Sequence, residues 1–499
     1  MYDLDDALDR PNEACGVVGF WARPDGGVDV PRSLFFSLYA LQHRGQESAG
    51  MAVNDGQLVT LHRGMGLVSQ VFTEDTLGPL KGHFGIAHNR YSTTGSSVLA
   101  NAQPTYVQTL HGPLSVAHNG NLTNAAALRQ RLMQEGVGFG TTTDTEVITQ
   151  FLARPPAFKD PSDANWAMRL ARLQEVAEGA YSLVVMTRDA IWAMRDPLGL
   201  RPLCLGHIRG DDGEIASWMV ASESSAMLTV GAKYLREVAP GEVVRIDATG
   251  IHTVHRAAPR ASKLCIFEYV YFARPDSKMD DRTVHLARQR MGVELAKDAP
   301  CDADVVFGVP DSAIPSAMSY AAALGLPYTE GLIKNRYIGR TFIQPSERMR
   351  RNQVRLKFNA LRENLEGKRV VLVDDSIVRG TTMGPMVRLV RDAGKAKEVH
   401  VRIASPPVAN PCFMGVDLAT YDQLIAHHHD VAGICKHVGA DSLAYLSVEG
   451  LHRAVRGEGM EPHRGHCDAC FTGKYPVDVA ACMAEDAKNR FEGKVGGTR

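Results

Sequence analysis

No run of about 18 apolar residues occurs anywhere in the 499-residue sequence, which excludes a helical membrane span. The opening, MYDLDDALDRPNEA, lacks the basic and then apolar stretch of a secretory signal and carries acids instead, so a cytoplasmic protein is expected. Neither charge is in surplus: 55 Lys+Arg face 56 Asp+Glu. That balance leaves no overall affinity for nucleic acid or an anionic membrane, and any anionic substrate needs a local basic patch. Cysteines number nine, an odd set in a long chain, which argues against a disulfide framework and for catalysis or metal binding. Internal repeats and low-complexity tracts are missing.

What is present suffices for two hydrophobic cores, because 499 residues exceed one ordinary core. After a polar leader at 1–14, short apolar segments bounded by Gly, Asn or Asp follow from Cys15: CGVVGFW, AGMAVN, LVTLHRG, FGIAHNRYS and LSVAHNG. Their length and boundaries predict strands. SLFFSLYALQHR, AAALRQRLMQEG and TEVITQFLAR read as helices, and AYSLVVMTR and AIWAMRDP as further strands. Residues 15–255 therefore form a sheet-rich α+β domain. After a linker, HRAAPRASK, the style changes. VVFGVP, IPSAMSYAAALG, VVLVDDSIV, TTMGPMVRLVRDAG and EVHVRIASPP alternate strand and helix over 264–450, the pattern of a parallel α/β sheet. Residues 451–499 form a C-terminal segment ending in a polar tail.

Three groups of residues carry chemistry. Cys15 is the first. Thiol is the strongest side-chain nucleophile but needs a base, and cleavage before Cys15 would supply one as a new α-amino group with a pKa of about 8. Position alone favours a buried structural cysteine that opens a strand. LQHRGQESAG, HNRYSTTG, AHNGNL and TDTE, in that order downstream, shift the balance.

The second group is Asp374-Asp375 at the end of an apolar strand, followed by Ser376, Arg379, Gly380, Thr381 and Thr382 at a helix start. Free N–H groups at such a start suit phosphate, and adjacent carboxylates suit ribose hydroxyls and Mg²⁺. No GxxxxGK[ST] is present, so this is not an ATPase loop. Neighbours in a regular strand point to opposite faces, so both acids reach one ligand only if the strand ends at Asp374. Residues 334–359 hold eight basic residues against one acid, Glu347. That imbalance fits a segment closing over an anionic substrate, with Lys334 and Arg340 the best candidates for pyrophosphate contacts. The third group is Cys467-Asp-Ala-Cys470, a CxxC open to zinc, redox chemistry or chance. The run His427-His428-His429 reads as surface, since consecutive helical residues diverge by about 100°.

The ordered motifs of 15–250 resemble the class II glutamine amidotransferase domain, an N-terminal-nucleophile (αββα) hydrolase fold. The resemblance implies that Cys15 attacks the glutamine amide, that Asn119 and Gly120 form an oxyanion hole, and that Arg90, Thr93 and Asp144 bind glutamine. The segment around Asp374 resembles the signature of type I phosphoribosyltransferases. It implies that Asp374 and Asp375 bind the ribose diol and Mg²⁺, that 376–382 wrap the 5′-phosphate, and that Ser312 of VPDSAIPSA is a further Mg²⁺ contact. The whole chain resembles the iron–sulfur branch of the glutamine phosphoribosyl pyrophosphate amidotransferases. That implies a [4Fe–4S] cluster on Cys265, Cys412, Cys467 and Cys470, a homotetramer and inhibition by purine nucleotides. Structural zinc on the same four thiols is the nearest alternative. For function, the alternatives are a glutaminase feeding another sugar phosphate, or a regulator that senses phosphoribosyl pyrophosphate.

Overall fold

Strands that are apolar at every position, rather than at every second one, mark a sheet buried on both faces, and the strand Gly16–Ala22 shows the cause. Val18, Phe20 and Ala22 enter a core shared with the helix Val30–Ala40, while Val17 and Trp21 enter a core against a second sheet. The computed structural model describes residues 15–91, 94–154, 165–258, 260–335, 353–418, 420–456 and 464–483. The expected leader, Thr93 and Arg340 lie outside them.

The first sheet runs, edge to edge, through Lys233–Glu237, Cys204–Arg209, Ile215–Ala221, Gly16–Ala22, Phe84–Arg90, Ser48–Asn54 and Val59–Met65, antiparallel throughout. The second runs through Gly250–Arg256, Glu242–Asp247, Ile191–Arg195, Gly179–Met186, Gly112–Leu122 and Thr105–Thr109, also antiparallel. Helices Ala125–Gln134, Asp144–Ala153 and Trp166–Val176 cover its outer face through Leu128, Leu132, Val147, Ile148 and Leu170. The result is four layers, αββα. Each fully buried aliphatic side chain contributes about 1.5–3 kcal/mol, so the sandwich is held by its two sheet faces and two helix layers together.

The later half is a parallel sheet in the order Val305–Gly308, Arg369–Asp374, Glu398–Ile403, Ser442–Tyr445. Alternation again assigns faces. Val371 and Val373 pack with helices Val284–Asp298 and Ile314–Leu324, while Val370 and Leu372 pack with Met383–Asp392 and Val431–Val438. Because every strand is parallel, all their C-terminal ends open at one edge, where ligands of such sheets bind. Among the described residues no helix is long and apolar enough to cross a membrane.

The connection between the halves is shorter than its sequence suggests. The strand Gly250–Arg256 takes in the His-Arg of HRAAPRASK, and the next strand begins at Ser262. That strand, Ser262–Cys265, pairs in parallel with Arg464–Cys467, so the end of the chain returns to the junction. Lys263 and Cys265 also donate backbone N–H groups to the carbonyls of Leu198 and Leu200 in the first half, at 2.7 and 3.1 Å.

Candidate active sites

Cys15 stands buried just before the first strand, its Sγ 3.3 Å from the carbonyl oxygen of Tyr91. Burial pushes the thiol up, against the pull of the Arg90 guanidinium nearby. Such a thiol needs a base before it can attack anything. Arg90 ends the strand Phe84–Arg90 and is buried, not a surface ion pair. Its Nη2 donates to the carbonyls of Thr94 and Gly95 at 3.1 and 3.0 Å, and Glu47 lies 3.7 Å from Nη1. Asp144 is the buried first residue of its helix, while Thr143 caps that helix by accepting from the Glu146 N–H. The Asp144 carboxylate accepts from Leu122 N–H at 3.0 Å and lies 3.6 Å from His118 Nδ1.

Asn119 and Gly120 sit inside the strand Gly112–Leu122 rather than in a hairpin turn. This strand packs across Gly16–Ala22 and Phe84–Arg90, and His88 Nε2 meets the His118 carbonyl at 3.0 Å. Among the described residues, both polar atoms of the Asn119 side chain are buried with no hydrogen-bond partner. An unsatisfied buried amide costs about 1–3 kcal/mol, and an acceptor placed against Nδ2 would offset part of that cost. Gly120 has φ +151°, and a Cβ there would lie 2.0 Å from the Ala180 carbonyl oxygen.

At the other site, the strand Arg369–Asp374 ends at Asp374, so Asp375 lies beyond the regular alternation of the strand. Asp375 N–H donates to Asp374 Oδ1 at 2.9 Å. The Asp375 carboxylate accepts from Ser376 Oγ at 2.7 Å and from Ser312 Oγ. Ser312 lies in the turn between the strand Val305–Gly308 and the helix Ile314–Leu324, so two strand ends converge on one carboxylate. Residues 376–382 then wrap toward the helix Met383–Asp392, whose first turn has no side-chain cap. Arg379 is partly buried, Gly380 has φ +74°, Thr381 is exposed and Thr382 buried. Lys334 ends the strand Leu332–Lys334, with Nζ 2.8 Å from Asp311 Oδ2 beside Ser312.

Residues 88–229 match the glutamine amidotransferase domain and residues 288–407 the phosphoribosyl transferase domain. The chain is 47% identical to the amidophosphoribosyltransferase of Rattus norvegicus, over 94% of this chain and 98% of that one. It is 46% identical to that of Bacillus subtilis, over 94% and 95%. It also resembles the structure of glutamine phosphoribosylpyrophosphate amidotransferase from B. subtilis complexed with ADP and GMP, with a TM-score of 0.85 at 44% identity, covering 94% of this chain and 100% of that one. The chain belongs to the amidophosphoribosyltransferase family. It is therefore a glutamine amidotransferase and glycosyltransferase of purine biosynthesis, with one half for each activity.

In this amidophosphoribosyltransferase fold the four expected cysteines lie near one another where the halves join. Cys265 lies opposite Cys467 in the parallel pair. The Cys470 carbonyl accepts from the N–H groups of Ala409 and Asn410 at 3.1 and 3.0 Å, drawing in the loop that carries Cys412. Burial pushes the Cys265 thiol up to about 12 and raises Cys412, Cys467 and Cys470 as well. Each of Cys265, Cys467 and Cys470 is raised further by neighbouring thiols of the set. As the side chains stand, no three His, Cys, Asp or Glu groups among the described residues converge on a single ion. The chemistry of the donors still fits a thiolate-bound group: four soft ligands, with backbone N–H groups directed at the sulfurs, Met414 N–H lying 3.3 Å from Cys412 Sγ. His427, His428 and His429 are exposed, as their sequence suggests.

Sequence reasoning missed a buried ionic network. Arg44 of LQHRGQES donates from Nε to the Cys15 carbonyl at 3.2 Å and pairs with Glu223 and Glu268. Arg201 Nη2 lies 2.6 Å from Glu268 Oε1, an ionic contact without hydrogen-bond alignment. All four side chains are fully buried. The signal was available in part, since Arg44 sits within a quoted motif, but its partners lie 179 and 224 residues away.

Proposed function

We propose that glutamine is hydrolysed at Cys15 and that the nitrogen is used at Asp374-Asp375, with the following division of labour. Removal of 1–14 turns the Cys15 α-amino group into the base that takes the thiol proton. The sulfur attacks the glutamine amide carbon, and the oxyanion is stabilised by Asn119 Nδ2 and the Gly120 N–H. Ammonia leaves and water clears the thioester to glutamate. Arg90 and Thr93 hold the substrate carboxylate end and Asp144 its α-ammonium. The buried amide of Asn119, with no hydrogen-bond partner among the described residues, carries this reading, since an oxyanion hole needs an unengaged donor.

In the second half, Asp374 and Asp375 hold the ribose diol while Ser376, Arg379, Gly380, Thr381 and Thr382 bind the 5′-phosphate through N–H, hydroxyl and guanidinium donors. Ser312, Asp374 and Asp375, a hard oxygen donor set, would hold Mg²⁺, which supplies neutralisation of the leaving diphosphate. Lys334 and Arg340 contact the pyrophosphate. Ammonia attacks C1, pyrophosphate departs and, with loss of a proton, 5-phosphoribosylamine remains. Convergence of Ser312 and Ser376 on Asp375 supports this assignment.

Cys265, Cys412, Cys467 and Cys470 would hold a [4Fe–4S] cluster, with a structural or oxygen-sensing role at the junction. The enzyme would work in the cytoplasm as a homotetramer inhibited by purine nucleotides, and the relative complexed with ADP and GMP supports the binding of such nucleotides. The test is Cys15→Ala, expected to abolish glutamine-dependent synthesis while added ammonia still supports product. Loss of both activities in a folded protein would count against the division.

A further inference from the structure

The oxyanion strand is gripped by the other half of the molecule. Asn121 lies two residues beyond Asn119, so the two side chains leave the strand on one face. Asn121 Nδ2 donates to the carbonyl of Phe413 at 2.9 Å, and its Oδ1 accepts from Thr94 Oγ1 at 2.7 Å. One amide therefore ties together the oxyanion strand, the loop held by Arg90, and the loop 412–416 that follows the strand Glu398–Ile403 of the parallel sheet. Beside it, Gly415 has φ +88°, and a Cβ there would lie 2.7 Å from Gly120 C and Cα. Met414 completes the grip, buried in a small core with Ala180, Leu198, Leu200 and Val479. Ala180 is the register partner of Asn121. The oxyanion strand is thus confined between the Ala180 backbone and Gly415.

We propose that Asn121 is a positioning residue for glutamine hydrolysis, and that the Asn121–Phe413 bond with the Gly120–Gly415 contact holds Asn119 and Gly120 at the reacting amide. The proposal rests on the reading of those two residues as the oxyanion hole. The physical reason is geometric: donors to an oxyanion act only when held in place beforehand, and a strand edge that slides by a fraction of an ångström loses that alignment. Since 412–416 belongs to the ribosyl-transferring half, the state of that half reaches the glutaminase site through this loop.

Two variants test it. Asn121→Asp keeps size and the acceptor for Thr94 but removes the donor to Phe413. Gly415→Ala keeps Asn121 but forces the loop off Gly120. In both, kcat for glutamine hydrolysis is expected to fall about 10- to 100-fold with KM changed less than about threefold, below the loss seen for removal of a whole oxyanion donor. Ammonia-dependent synthesis should stay within about twofold, and hydrogen exchange should quicken in a peptide covering 115–122. A kcat within about twofold of the parent in both variants overturns the proposal, as does an equal fall in the ammonia reaction. Asn119→Ala separates the two readings. If its kcat is unchanged, the oxyanion assignment itself is lost; if it alone falls, only the positioning role is. Should Gly415→Ala fail to fold, Asn121→Asp decides.

Discussion

Arg44 and Glu268 form an ion pair sealed from solvent, Nη2 to Oε1 at 2.8 Å, that joins the glutaminase half to the single π-helical turn Glu268–Phe272 opening the second half. Glu223 completes the arrangement from the first half, held by Arg44, His43, Ser277 Oγ and the Arg274 N–H. Burial alone would raise Glu268; the guanidiniums of Arg201 and Arg44 outweigh it and hold its carboxyl below the usual range.

Removing one charge from such a set leaves its partners buried and uncompensated. Glu268→Gln should destabilise the fold by about 3–5 kcal/mol, read as a shift in the chemical denaturation midpoint. A loss under about 1 kcal/mol would show the network to be replaceable by neutral hydrogen bonding.

His88 sets an acid limit. Burial, with Arg90 and His118 facing the ring, holds its pKa down to about 3, although Nε2 meets the His118 carbonyl. An unfolded histidine titrates near 6.5, so below that pH the unfolded chain takes up a proton that the fold refuses. Stability should be full above about 6.5 and decline by about 1.4 kcal/mol per pH unit toward the folded value. His466, also held down to about 3, adds a loss of the same sign. Thermal midpoints between pH 6.5 and 5 should fall less steeply in His88→Gln than in the parent; an unchanged slope would refute the assignment.

Asp375 receives Ser312, Ser376 and, through its own carbonyl, Ser405 Oγ at 2.7 Å. Asp375→Asn should cut ammonia-dependent synthesis about 100-fold, or ~2.7 kcal/mol, with weaker binding of phosphoribosyl pyrophosphate in titration calorimetry. Glutamine hydrolysis measured alone should be much less affected. Undiminished synthesis would remove Asp375 from the donor site.

Protein isolated without air should be brown and contain iron and labile sulfide in equal amounts, both lost in Cys467→Ser. A colourless protein with stoichiometric zinc would identify the four thiols as a zinc site instead.

Much of this architecture was legible in the chain because local rules agree with the global result. VVLVD reads as a buried strand and becomes one, since both its faces are covered. Asn119-Gly120 misleads when read locally: Asn-Gly usually turns a hairpin, yet here Gly120 pairs within a strand, at φ +151° and with the Ala180 carbonyl too close to admit a side chain. TDTE offered Asp144 as a helix cap, but Thr143 takes that place and leaves the Asp144 carboxylate directed at Leu122 and His118. Gly415 and Phe413 gave no local signal, and Asn121 sits within AHNGNL without showing its partner, because what matters is a contact across 292 residues.

By itself the sequence determined the two fold types and the residues able to do the chemistry, because hydrophobic period and the choice of thiol, carboxylate or guanidinium are properties of short segments. Only the tertiary structure decided which of those residues share a site, which charges are buried together, and how one half grips the other. Those outcomes depend on packing between segments far apart in the chain, where geometry rather than composition sets the energy.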